Sequence, residues 1–143
     1  MKTNLKRNLG IAGLAAAISL IASPLNAQQG KFNLPVEAHW GNAVLSPGAY
    51  RLSGPSVTSP IGVLYISGNG KTQMAVPNMT EWGKDSNRSY LKLVNVDGVY
   101  VVREFVSGTT GRNYTFGIPK TLRLRMSPKA EHETATLIDV AGN

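Results

Sequence analysis

The chain has no cysteine. That excludes thiol nucleophiles, thiolate metal sites and redox motifs. It also excludes a disulfide staple, so the fold must be held by its apolar core. Acids are scarce, with 8 Asp and Glu against 15 Lys and Arg. Histidine occurs only at His39 and His132. A zinc site normally gathers three or four ligands. The one metal-like run, Glu131-His132-Glu133, is contiguous, and an extended backbone would split it across two faces. A polar loop is the better description.

Catalytic motifs are equally sparse. There is no Gly-x-Ser-x-Gly elbow and no Ser/His/Asp set tied together by local sequence. Gly68-Asn69-Gly70-Lys71-Thr72 ends like a phosphate loop, but Tyr65 stands where its first glycine belongs and no helical pattern follows. It describes a turn. Two well-spaced carboxylates suffice for a glycosidase, yet a small chain so rich in turn residues leaves little room for a cleft. These absences point to a non-enzymatic protein with no catalytic residue, no metal and no cofactor.

What the chain does have begins at its N-terminus. Lys2, Lys6 and Arg7 precede an apolar and small-residue run from Leu9 to Ile21, followed by Pro24 and Ala27. This is the pattern of a secretory signal peptide over residues 1–27, with cleavage expected after Ala27. The run is short for a transmembrane span, which needs roughly 20 apolar residues. Cleavage would leave a single domain, residues 28–143, with 12 basic and 8 acidic residues and a net charge of +4. The expected location is outside the cytoplasm: periplasm, cell surface or medium. A modest positive excess in an exported protein does not argue for nucleic acid.

No part of residues 28–143 shows a 3.6-residue period of helical length. The 15 glycines and 8 prolines of the whole chain imply frequent turns. Phe32, Leu34, Val36, Ala38 and Trp40 alternate with polar neighbours, as a strand with one buried face does. Gly41-Asn42 and Ser46-Pro47-Gly48 turn the chain, and Tyr50 and Leu52 resume the alternation. Ile61 to Ile66 reads as a buried strand and Thr72 to Val76 as its return. Residues 77–89 read as a long polar loop carrying Trp82. Asp97-Gly98 joins two strands, Tyr90 to Val96 and Val99 to Phe105. A two-residue loop there would set Lys92 against Arg103, which is unfavourable, and a four-residue loop, Asn95 to Gly98, would avoid that pairing; either loop puts Leu91, Leu93, Tyr100 and Val102 on one face. Tyr114, Phe116 and Ile118 alternate, then Leu122, Leu124 and Met126 against Arg123 and Arg125. Thr134 to Val140 makes a last strand. The expectation is an all-β domain of about eight or nine short strands, an antiparallel sandwich or a small barrel.

The opening motif, Phe32, Leu34, Pro35, Trp40, Gly41, Leu45, Gly48 and Tyr50, resembles that of a group of small exported bacterial proteins of unknown function. "LSPGAY" stands in for their "LPAGxY". The resemblance implies export and one β-rich domain, and it brings no catalytic residue. Physically, the motif supplies turn glycines and large aromatic anchors, as a structural first hairpin requires.

Two functional expectations follow. One is an envelope-associated or secreted binding or accessory protein that works by contact. The hairpin face carrying Val94, Val99 and Val101 must be covered by the chain itself, a second subunit or a partner. Arg123 and Arg125 would add a basic stripe or simply a solvated face. The other is a small barrel that carries a glycan or apolar ligand on Trp40, Tyr50, Tyr65 and Trp82. Partners are then an envelope component, a glycan or a second copy of the chain.

Overall fold

A computed structural model describes residues 29–54, 62–83, 87–126 and 135–142. Residues 1–27, expected as a signal peptide, and the whole 127–134 connection with its Glu131-His132-Glu133 run lie outside the described residues.

Eleven strands are present among the described residues: β1 (Gln29–Leu34), β2 (Ala38–Trp40), β3 (Ala43–Leu45), β4 (Gly48–Ser53), β5 (Leu64–Gly68), β6 (Lys71–Ala75), β7 (Met79–Trp82), β8 (Ser89–Val96), β9 (Val99–Val106), β10 (Arg112–Thr115) and β11 (Thr136–Gly142). One short helix, α1 (Lys120–Arg123), follows β10. Nine strands run in the order β3-β2-β9-β8-β11-β1-β4-β5-β6. The two end strands, β3 and β6, approach each other, so the sheet is a nearly closed barrel. Of the two folds expected, it is the barrel. Among the described residues every strand pairing is antiparallel except β2 with β9.

The opening motif builds the barrel wall. Phe32, Leu34, Trp40, Leu45, Tyr50 and Leu52 all point inward and are buried. Gly41 has φ +59° in the turn between β2 and β3, a backbone that residues with a Cβ rarely adopt. The motif is thus absorbed by packing and turn geometry.

The β8–β9 hairpin takes the shorter of the two loops. The turn is the two-residue Asp97-Gly98, with φ +50° and +84°, and Val96 pairs Val99. The Lys92–Arg103 clash is avoided by a β-bulge instead. Leu93 pairs Val102, and the next pair is Lys92 with Glu104, leaving Arg103 out of register. Beyond the bulge β9 changes neighbour: Tyr100 and Val101 lie beside β2, while Glu104 to Val106 lie beside β10.

Two expectations are corrected. Residues 79–82 form β7 within the segment expected as a loop, paired to β10 from Arg112↔Trp82 to Thr115↔Met79. All four β7 residues are exposed, so no alternation marks the strand in sequence. Leu122 to Met126 is not a strand. The Leu122 and Arg123 amides both donate to the Pro119 carbonyl, and α1 winds from there. Ile118, Leu122 and Met126 stand four residues apart and meet the outer face of the hairpin. Leu124 is 79% exposed, which a strand alternating 122, 124 and 126 would not allow.

Candidate functional site

The barrel interior is filled. Phe32 and Tyr50 stack with centroids 5.5 Å apart, Phe32 meets Trp40 at 6.0 Å, and Trp40 meets Phe116 edge-on at 5.2 Å. Phe105 and Tyr114 stack at 5.7 Å. Trp40 is fully buried, and its indole Nε1 has no hydrogen-bond partner among the described residues. The Tyr50 hydroxyl donates to the Ser46 carbonyl at 2.7 Å and accepts from Asn69 Nδ2 at 3.0 Å. Both aromatic anchors are therefore spent on the core.

The four aromatic candidates do not converge. Trp40 and Tyr50 face inward, and Tyr65 lies on the outside of β5. Trp82 stands on β7, 75% exposed, with the Arg112 guanidinium 4.7 Å over its ring. The second hairpin face is covered by the chain itself. Val101 is fully buried in a small cluster with Val96 and Leu122, against which Val94 and Val99 pack. Those valines form an internal seam. Arg123 donates from Nη2 to the Ile118 carbonyl at 3.1 Å, and Arg125 is exposed in the turn after α1. They share no strand face. No group of three or more His, Asp and Glu side chains among the described residues is placed to hold a metal.

A larger concave feature lies elsewhere, on the outside of the barrel. A groove of about 880 Å³ crosses the outer face of β1, β4, β5 and β6. Its cations are Lys31, Arg51 and Lys71. Strand alternation places the first two: Phe32, Tyr50 and Leu52 point in, so Lys31 and Arg51 point out, whereas Lys71 starts β6 opposite Gly68, on the other parity from Thr72. Register then lines them up. Lys31 is opposite Arg51, Arg51 opposite Ser67, and Ser67 opposite Thr72. At about 4.8 Å per strand this row is roughly 14 Å long. The hydroxyls of Ser67 and Thr72 are 3.0 Å apart.

Gly68 and Gly70 border the groove with backbone alone. A Cβ on Gly68 would lie 2.3 Å from the Tyr50 ring. The acid on its rim is Asp139, which accepts from Arg88. That hydrogen bond pushes the Arg88 guanidinium above its ordinary pKa. Lys31, Arg51 and Lys71 have no ion-pair partner among the described residues. Sequence reading missed this set. The alternation signals that Lys31 and Arg51 each point outward, but only the sheet register makes them neighbours.

No helix among the described residues is long and apolar enough to cross a membrane. Comparison with protein-family models, curated proteins and solved structures finds no match for this chain.

Proposed function

We propose that the protein is an exported, non-enzymatic binding or accessory domain that works by contact, with the outer groove on β1, β4, β5 and β6 as its contact face. The observation that carries this reading is the Lys31–Arg51 cross-strand pair in an open groove of about 880 Å³. Two like charges directly opposite destabilise a sheet, and such an arrangement gains favourable energy when an anionic ligand lies between them. The packed ring cluster of Phe32, Trp40, Tyr50 and Phe116 supports surface contact over enclosure of a ligand within the barrel. Export is supported by the N-terminal charge and apolar pattern and by the motif's resemblance to exported proteins.

The reading is tested by melting the purified protein with and without envelope glycans, lipids and metal ions. A ligand at a hundred times its Kd adds about 2.7 kcal/mol. A shift that is lost in Arg51→Gln is expected. A shift that survives in Arg51→Gln and Lys31→Gln would place the contact face elsewhere. Export is checked separately, by cell fractionation and by the mass of the recovered chain, which is expected to begin at Gln28.

A further inference from the structure

We infer that the groove takes an acidic polysaccharide, held as an extended chain across the strands; this rests on the groove being the contact face. The charge is one-sided. Lys31, Arg51 and Lys71 line it, and its one carboxylate, Asp139, is already bonded to Arg88. The other polar lining groups, Asn33, Ser67 and Thr72, are neutral and suit sugar hydroxyls.

Shape narrows the class. The row Lys31–Arg51–Ser67–Thr72 runs straight across four strands. The groove is too long and too open for one carboxylate or phosphate, and it lets a chain enter and leave. Cations at one part of the row and hydroxyls at the other match a polymer that repeats acid and hydroxyl groups along its length. Charge-assisted hydrogen bonds from Lys and Arg supply the attraction.

Two other polyanions fit less well. A membrane surface would want protruding apolar side chains beside the cations. None of the exposed large apolar residues, such as Met74, Val76 or Trp82, lines the groove. Single-stranded nucleic acid would want exposed rings on which bases stack. The rings that line this groove, Phe32 and Tyr50, are only 4% and 5% exposed, and the exposed Tyr65, two residues before Ser67 on the same face, does not line it.

The test is titration calorimetry of the purified protein with polygalacturonate, which carries one carboxylate per sugar. Dextran serves as the neutral comparator, with phosphatidylglycerol vesicles and single-stranded DNA as the other polyanions. Polygalacturonate is expected to bind and dextran not. Raising salt from 50 to 200 mM is expected to weaken binding about tenfold, because ion contacts displace counterions. Arg51→Gln is expected to cost about tenfold, one charge-assisted contact, and the distant Arg125→Gln nothing. Arg51→Gln is on the exposed face, and a cooperative melting curve with a midpoint no lower than the parent's confirms that it folds. Dextran binding that depends on Arg51 would overturn the acidic-polymer inference and leave the groove as contact face. Polygalacturonate binding indifferent to Arg51 and Lys31 would overturn both. Stronger binding to vesicles or DNA would overturn the polysaccharide class. No binding to any probe would overturn the inference outright.

Discussion

Lys92 faces Glu104 across the β8–β9 ladder, Nζ to Oε1 3.4 Å, because Arg103 is displaced from register by a bulge. That one extra residue does two things. It replaces a like-charge pair with an opposite-charge pair, and it resets the parity of β9. Tyr100 and Val102 face the interior before the bulge, and Phe105 does so after it. Arg103 is itself held: Nη1 donates to the Phe116 carbonyl at 2.5 Å, and the Phe116 amide donates back to the Arg103 carbonyl at 2.8 Å.

Deleting Arg103 takes out the extra residue and leaves Lys92 opposite Glu104 and Leu91 opposite Phe105, so the inward and outward sets are expected to be kept. Arg103→Ala keeps the bulge and removes one hydrogen bond from a charged donor, at an expected cost of about 1.5–3 kcal/mol. Deletion loses the same bond and is expected to cost a similar amount. Urea unfolding of both variants checks this. A much larger loss on deletion would mean that the strands re-pair in another register.

Tyr50 is predicted to be a structural lock. Tyr50→Phe keeps the stack on Phe32 but loses the bonds to Ser46 and Asn69. About 1–2 kcal/mol of stability should go with them. Gly68→Ala should cost at least as much, since its Cβ would lie 2.3 Å from Tyr50 Cδ1 and 2.8 Å from the Ala49 carbonyl oxygen. Denaturation midpoints at constant slope would measure both.

The second cluster makes a contrasting pair of predictions. Leu122→Ala empties a buried position under the hairpin and is expected to cost about 2 kcal/mol. Leu124→Ala alters an exposed residue and should stay within about 0.5 kcal/mol. A strand across 122–126 would make the two alike. Val101→Lys places a charge in a fully buried site and should unfold the protein rather than dissociate an assembly.

The groove predicts an inverse relation between stability and binding. Arg51→Gln removes one of two like charges in direct opposition. Its midpoint in ligand-free buffer should rise slightly at low salt, and the difference should shrink as salt screens the pair. The same variant should bind polyanion less well. A drop in midpoint that is independent of salt would show that Arg51 serves the fold instead.

The sequence by itself determined the all-β class and the inward set of the first hairpin. Both depend on local rules: side chains alternate along a strand, and turn glycines sit where φ is positive. It left sandwich and barrel equal, because both use the same strand rhythm. Tertiary structure decided between them by bringing β3 near β6. It also decided what covers the Val101 face. Ile118, Leu122 and Met126 satisfy a helical spacing of four and an alternation of two at once, and only packing under the hairpin separates the two. β7 was illegible for the opposite reason, since a strand with every residue exposed has no pattern to read. The groove was legible least of all. Lys31 and Arg51 lie far apart in the chain, and their meeting is a matter of sheet register, which is fixed by pairing between strands and not by either strand alone.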